Sequence, residues 1–305
     1  MIVNWNSGPL LERCIRSLLQ YAEGCEIVIV DNGSEDSSLH FVEEIDEGLS
    51  ILRNSRNLGF AAGNNLGWRA CQGDPILFLN PDTECFPESI PSLEQTIRTD
   101  RAVWAVGGRL VRPKEKSRPS YRARSFPNIG SVAAEMLFLD EIWPSHPWSG
   151  RMGSDNITLA IDVDQPAAAC LMVTRTALES IGGFDENFSP AWFEDVDLCR
   201  RIRDRGGRIQ YQPRARFLHH GGHSLSQLSR REFLEIIHTN RIRYFKKHHG
   251  VKAAARVKRW ILSGLTLRSA LSLVYPLIPK MSRVNSARIF WQAARHISQL
   301  SETEL

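Results

Sequence analysis

The sequence predicts an α/β protein: a mostly parallel central sheet with helices on both faces, plus a C-terminal helical extension. Three observations predict it. Short β-branched or leucine-rich runs alternate with helix-periodic segments through the first 110 residues. One run after another ends in Asp or Asn within a Gly-containing turn. Beyond about residue 229 the chain turns helical and basic.

Residues 2–4 are a short apolar strand, and Leu10, Leu11, Cys14, Ile15, Leu18 and Leu19 recur at helical spacing after Ser7-Gly8-Pro9. Residues 26–30 (EIVIV) read as a buried parallel strand, followed by a turn and a helix beginning near Asp36. A third strand covers 51–53, then 57–71 carries Gly59, Gly63 and Gly67. Residues 76–79 (ILFL) form a fourth strand, 87–98 a helix and 103–107 a fifth strand. Residues 112–160, rich in Pro, Ser and Arg, read as irregular. Regular structure returns with a small-residue strand at 167–174 and a short helix at 176–181 ended by Gly182-Gly183. A helix at 194–205 closed by Gly206-Gly207 and a strand at 209–218 broken at Pro213 follow. The expected organisation is therefore 1–110 as the first half of an α/β domain, 111–160 as an irregular insertion or flap, 161–228 as the second half of the same domain, and 229–305 as a basic helical extension.

Composition bounds the class. The chain has 305 residues, 42% hydrophobic and 24% charged, which is ordinary for a folded soluble protein. No run of about 18 uncharged apolar residues suggests a membrane span, and the start lacks a signal peptide, so a cytoplasmic protein is expected. Six scattered cysteines without a CxxC pair read as small buried hydrophobes. The net charge of +4 is uneven: residues 241–305 hold 13 Lys and Arg against Glu302 and Glu304 alone, leaving the remainder acidic. Such a tail fits an anionic partner. With Trp260 and its leucines, 252–279 reads either as a segment lying on an anionic membrane or as a helix packing on the catalytic domain. No nucleic-acid-binding module accompanies the charge.

Ligands of open parallel sheets bind outside the carboxyl ends of the strands. Those ends carry Asn4 and Asn6, then Asp31, Asn32 and Ser34, then Asn57 and Gly59, then Asn80 and Asp82. Any one is also what a turn requires for backbone reasons. Four at one edge make a polar ligand crevice. Asn80-Pro-Asp82 suits a hard cation such as Mg²⁺ or Mn²⁺, and equally a β-turn with Pro second.

The ordered stretches IVNWNS (2–7), IVIVDNGSEDSS (27–38), NLGFAAGNNLGW (57–68), ILFLNPDT (76–83), AACLMVTRTALESIGGFDENF (168–188), FEDVDLCRRIRDRG (193–206) and HHGGHS (219–224) resemble family 2 glycosyltransferases, in particular the subgroup of bacterial rhamnosyltransferases. The resemblance covers roughly residues 1–225. It implies a GT-A (nucleotide-diphospho-sugar transferase) fold and an inverting, metal-dependent transfer of a sugar, rhamnose by subgroup, from a dTDP- or UDP-linked donor to a lipid-linked or polysaccharide acceptor of the cell envelope. Asp31 corresponds to the carboxylate on the pyrimidine edge. Asn4, Asn32, Ser34, Asn57, Gly59, Asn64 and Asn80 complete the donor site. Asn80-Pro-Asp82 stands for the family's DxD motif, Asn80 replacing the first Asp, and Asp82 is the implied Mn²⁺ or Mg²⁺ ligand. The HxGGxS spacing selects His219 over His220 as a further ligand. Glu194-Asp195 resembles the family's ED motif, with Asp195 as the base. Glu194 and Asp197 are expected to raise its pKa by like-charge repulsion, against the alternative of acids favouring a helix N-terminus.

Trp192 and Phe193 wall the acceptor sugar or are core, and Asp185 contacts the acceptor or caps a turn. A Mg²⁺-dependent nucleotidyltransferase and a non-catalytic nucleotide-sugar-binding relative are the alternative functions. A peripheral position on the inner face of the cell membrane is the expected localisation through the tail. Family members usually carry a few residues before the equivalent of Ile2, so the sheet is expected to be trimmed at that edge, or the start to be placed late.

Overall fold

The computed structural model describes residues 1–45, 48–113, 115–119, 123–143, 146–150, 152, 157–221, 228–275 and 282–301. The chain forms two compact units: Met1–Phe126, Arg151–Pro190 and Glu194–Ser224 in the first, Pro127–Gly150, Ala191–Phe193 and Leu225–Leu305 in the second.

The first unit is a sheet of β1 (Ile2–Asn4), β2 (Ile27–Asp31), β3 (Leu49–Arg53), β4 (Ile76–Leu79), β5 (Thr83–Cys85), β6 (Val103–Arg112), β7 (Glu115–Pro119), β8 (Ile161–Asp162), β9 (Cys170–Val173) and β10 (Arg208–His219). Its order is β3-β2-β1-β4-β9-β6-β10-β5, with β7 on β6 and β8 on β10. Strands β1, β2, β3, β4, β6 and β10 run one way and the other four against them. Strand β1 lies inside the sheet between β2 and β4, which corrects the expectation of a trimmed edge there.

The period of two along the strands divides their side chains between two cores. Val3, Val28, Val30 and Phe78 face one side, with Trp68 of α2 (Phe60–Ala70), Leu178 of α6 (Arg175–Ile181) and Leu198 and Ile202 of α7 (Glu194–Asp204). Ile2, Ile27, Ile29 and Val106 face the other, with Leu11, Ile15 and Leu18 of α1 (Pro9–Tyr21) and Ile90, Leu93 and Ile97 of α3 (Ser89–Thr99). The two-sided helical cover expected from the sequence is thus present. Gly63 and Gly67, one turn apart on α2, let that helix lie on β1 and β2. A Cβ on Gly63 would stand 2.8 Å from Val3 Cγ1, and one on Gly67 would stand 3.1 Å from Val30 Cγ2.

Several local expectations are revised. After Asp36 the chain bends and makes only a 3₁₀ turn, His40–Glu44. Strand β10 runs through Pro213 instead of breaking: a register shift between Gln212 and Arg216 takes up the proline, which has no N–H for the ladder. Five cysteines are buried as expected, but Cys25 is exposed.

The segment 111–160, expected to be irregular, contains β7 and two helices, α4 (Ile129–Met136) and α5 (Leu139–Ile142), which belong to the second unit. Helix α4 starts from a reciprocal cap between Asn128 and Ser131. The remainder of that unit is α8 (Arg230–His249), α9 (Val251–Val274) and α10 (Arg283–Gln299). Ser229 and Glu232 form a capping box at the start of α8. Ile242, Tyr244, Phe245, Val257, Ile261, Leu265, Phe290, Ala293 and Ile297 are buried. The Arg268 guanidinium donates to the carbonyls of Met136 (2.6 Å) and Glu135 (2.8 Å) and lies 4.0 Å over the Phe138 ring, closing the open C-terminus of α4.

Candidate active site

Parallel pairing brings the carboxyl ends of β1, β2 and β3 into line, with Asn4 beside Asp31 and Asp31 beside Arg53. Asn4, Asp31 and Asn32 are buried, so each polar group needs a partner. Asn4 Nδ2 donates to Asp31 Oδ1 at 3.1 Å, with Ser38 Oγ (2.9 Å) and Ser34 Oγ (3.1 Å) also in reach. Ser34 N–H lies 3.4 Å from Asp31 Oδ2, and Ser34 Oγ accepts from Asn6 N at 3.0 Å. Asn32 Nδ2 donates to Asn57 Oδ1 (2.8 Å) and Gly59 O (3.1 Å), while its Oδ1 accepts from Leu58 N and Asn54 Nδ2, both at 3.1 Å. The sequence-predicted residues of the first three strand ends therefore form one connected rim. Asn64 stands apart: it is buried on α2 and its Nδ2 donates to Phe60 O at 2.8 Å, one turn back.

The fourth strand end carries the Asn80-Pro-Asp82 turn, closed by the Thr83 amide and hydroxyl on Asn80 O (3.2 and 2.7 Å). Strand β5 leaves this turn directly and pairs antiparallel with the end of β10, Thr83 opposite His219. That register sets His219 Nε2 3.2 Å from Asp82 Oδ1, while Asp82 Oδ2 accepts from Gly221 N at 3.0 Å. The neighbouring His220 goes elsewhere, its Nε2 2.6 Å from Glu84 Oε1. Burial works to raise the Asp82 pKa, but His219 and the Gly221 amide outweigh it and hold the carboxyl below the ordinary range. Asp82 is thus an ionised oxygen donor beside an imidazole nitrogen. Residues 222–224 of the HHGGHS stretch lie outside the described residues.

Helix α7 begins with Glu194 and Asp195. Asp195 is half-buried, and its Oδ1 accepts from Val196 N at 2.8 Å. Burial raises its pKa, opposed by hydrogen bonds from the backbones of Val196 and Ala168. The helix N-terminus favours the anion, so desolvation is the stronger effect here. Glu194 is buried, and its Oε2 meets no hydrogen-bond partner among the described residues. Burial, then the charge of Asp195, pushes its pKa well above the ordinary value. The expected like-charge effect is accordingly corrected: it acts on Glu194, while Asp195 is shifted by burial. Asp197 adds nothing to it, because Arg201 Nε holds its carboxylate at 2.7 Å, and the same guanidinium donates to Ile181 O (2.8 Å) and Gly183 O (2.7 Å).

Against known proteins, residues 1–169 match the profile described as "Glycosyl transferase family 2". The chain belongs to glycosyl transferase family 2. It is 30% identical over 285 residues to the N-acetylglucosaminyl-diphospho-decaprenol L-rhamnosyltransferase of Mycobacterium tuberculosis, covering 88% of this chain and 90% of that protein. It is 25% identical over 234 residues to the Rhamnosyltransferase WbbL of Escherichia coli, covering 73% of this chain and 83% of the relative. Among solved structures, GalNAc-T7 with UDP, GalNAc and Mn²⁺ superposes with a TM-score of 0.58 at 14% identity over 96% of this chain. Staphylococcus aureus TarS does so with 0.55 at 12% identity over 99%. The chain spans about half the length of these two, 53% and 49%. They show the fold, GT-A, and the family makes the protein a glycosyltransferase.

In this glycosyltransferase, Asp82 and His219 fit a divalent cation by donor chemistry: an ionised hard oxygen and an imidazole. Among the described residues, no group of three or more His, Cys, Asp or Glu side chains could hold a metal ion. The three residues assigned to the acceptor are differently placed. Asp185 caps its own turn, accepting from Asn187 N (3.0 Å) and Nδ2 (2.8 Å). Trp192 and Phe193 belong to the second unit and have positive φ, 70° and 74°. Such backbone costs on the order of 1–3 kcal/mol per bulky residue and persists where its surroundings enforce it. Asn240 Nδ2 donates to Ala191 O (2.8 Å) and Trp192 O (3.1 Å), and Trp192 meets Phe233 edge-on at 5.0 Å. Phe193 packs at 5.7 Å from Tyr244.

Sequence reasoning missed Ser38, Asn54 and Asn240. The first two sit in turn-like runs where Ser and Asn are common. A buried Asn inside a polar helix carries no sequence signal of its own.

The Glu194 shift has a measurable consequence. The folded chain holds this proton more tightly than the unfolded chain, so stability falls as pH rises from the ordinary Glu range toward the raised folded pKa. Glu194→Gln removes that loss. Its Tm is expected to exceed wild type by a margin that opens as pH rises above the ordinary Glu value of about 4.3, read by thermal melts from that pH upward. A variant less stable than wild type at the upper end contradicts the assignment.

Proposed function

We propose that this glycosyltransferase transfers rhamnose from a dTDP- or UDP-linked donor to a lipid-linked acceptor of cell-envelope glycan synthesis, with inversion at the anomeric carbon. The observation that carries the reading is Asp195, a half-buried carboxylate whose burial makes it a stronger base than an exposed aspartate. The activities of the mycobacterial and enterobacterial relatives support the sugar, and the former supports the lipid-diphosphate acceptor. A polysaccharide acceptor is the neighbouring possibility within the same chemistry.

In this scheme the Asn4–Asp31–Asn32–Ser34–Asn57–Gly59 rim binds the nucleotide, Asp31 accepting from the N–H edge of the pyrimidine. Asn80 lines the diphosphate side. Asn64, turned onto Phe60 O, steadies α2 under that rim. Asp82 and His219 would hold Mn²⁺ or Mg²⁺, which would supply charge neutralisation for the leaving diphosphate. Asp195 takes the proton of the acceptor hydroxyl as its oxygen bonds to the anomeric carbon, and the bond to the diphosphate breaks on the opposite face. Burial favours the protonated form of Glu194, which leaves Asp195 as the base of the pair. The basic C-terminal helices give peripheral contact with the inner face of the cell membrane. Family membership removes the nucleotidyltransferase alternative, and the poised Asp195 argues against a non-catalytic relative.

A thermal-shift screen of dTDP-, UDP- and GDP-sugars with Mn²⁺ or Mg²⁺ tests the donor assignment. At about 100 times Kd a ligand adds roughly 2.7 kcal/mol, or about 4 °C for a chain of this size. dTDP-rhamnose or its UDP counterpart should produce it. A shift confined to GDP-sugars, or none with any pyrimidine donor, overturns the reading.

A further inference from the structure

We infer that the second unit carries a built bilayer-binding surface: an apolar line along α9 together with the α4–α5 corner, made to lie on anionic phospholipid. The inference rests on the lipid-linked acceptor proposed above and names the surface that would meet the lipid.

Trp260, Leu267, Leu271 and Val274 stand at i, i+7, i+11 and i+14 on α9, the spacing that sets side chains on one line of a helix. All four are exposed, Val274 to 75%. The neighbouring face of the same helix is core: Ala254, Val257, Ile261, Gly264, Leu265 and Ser272 are buried. Arg256 begins the exposed line, and Lys252 and Arg259 flank it; all three are exposed. Neither α9 nor α10 contains an Asp or Glu. Arg268, a helical neighbour of both Leu267 and Leu271, holds the α4–α5 corner through the carbonyls of Glu135 and Met136 and the ring of Phe138. That corner exposes Leu137, Ile142 (76%) and Trp143 (53%).

A monomer rarely leaves so many large apolar side chains in water on one element. No helix among the described residues is long and apolar enough to cross a membrane. Tryptophan and aliphatic side chains on one line, ringed by Lys and Arg without a carboxylate on the helix, match the interface of an anionic leaflet: the rings enter the headgroup boundary and the cations meet phosphate. An acid-free helix is a poor match for an ordinary mixed-charge protein surface. The corner lies in the stretch that the sequence presents as irregular, so the tail alone reveals only half of the surface.

The test is sedimentation of the full chain with phosphatidylcholine vesicles with and without phosphatidylglycerol, for wild type and for a Trp143→Ser, Leu271→Ser, Val274→Ser variant. These positions are exposed, and a thermal melt checks the fold. Wild type should bind only the anionic vesicles and be released by salt. The variant should bind about tenfold more weakly and transfer sugar to a detergent-solubilised lipid-diphosphate acceptor at the wild-type rate. Wild type that ignores anionic vesicles, or a variant that binds them unchanged, overturns the inference. So does a variant that splits a dimer while keeping vesicle binding, since the face would then join two copies. Failure of wild type to transfer sugar in detergent would instead strike the proposed function, leaving the vesicle result to decide the surface.

Discussion

Asp195→Asn is expected to lower kcat by about 10²–10⁴-fold while leaving the fold and donor affinity intact. The substitution is nearly isosteric, and the amide oxygen can still accept from Val196 N, which Asp195 Oδ1 does at 2.8 Å. What disappears is the capacity to take the acceptor proton. Without a base, the hydroxyl must attack while still protonated, and neither acid beside it on the helix replaces Asp195. Glu194 is buried with its pKa well above the ordinary range, and Asp197 is committed to Arg201. The wild-type acid limb should also lie above the usual aspartate value of about 3.9, because burial raises the Asp195 pKa and the proposed base acts in its ionised form. Initial rates against pH, with donor binding measured separately, check both points. Turnover within a fewfold of wild type removes Asp195 from the mechanism.

Asp82→Ala is expected to cost about a thousandfold in kcat/KM, the scale of several kcal/mol of lost charge stabilisation at the leaving diphosphate. The change also removes the carboxylate that lies 3.2 Å from His219 Nε2 and accepts from Gly221 N. Binding of Mn²⁺ should weaken together with activity, and excess Mn²⁺ should not restore it. Chelation by EDTA should abolish wild-type transfer and added Mn²⁺ or Mg²⁺ should recover it. Undiminished activity in EDTA refutes the cation site.

Particular residues show what the sequence could and could not convey. The rim of polar strand ends was legible because each of its members follows an apolar run, and parallel strands necessarily present those ends together. Asp31 and Asn32 needed no long-range information beyond the alternation of elements. The approach of His219 to Asp82 is another matter. It depends on a three-residue strand, Thr83–Cys85, pairing with a partner more than a hundred residues away, and nothing in TEC announces a strand. The insertion of β9 between β4 and β6 is equally non-local. Pro213 misled because a proline usually ends a strand, and a register shift absorbed it. The helical character of Ile129–Met136 was hidden by its Pro- and Ser-rich flanks, although the Asn128–Ser131 cap was available to be read. Asp197 looked like a third acid acting on Asp195 because sequence shows charge but not the arginine one helical turn on that neutralises it.

Inversion through a single base is the central claim, and the anomeric configuration of the product tests it most directly. Transfer from a nucleotide-sugar of known configuration to a lipid-diphosphate acceptor, with the new linkage assigned by NMR, should give the configuration opposite to that of the donor. A product that keeps the donor's configuration would contradict the role assigned to Asp195.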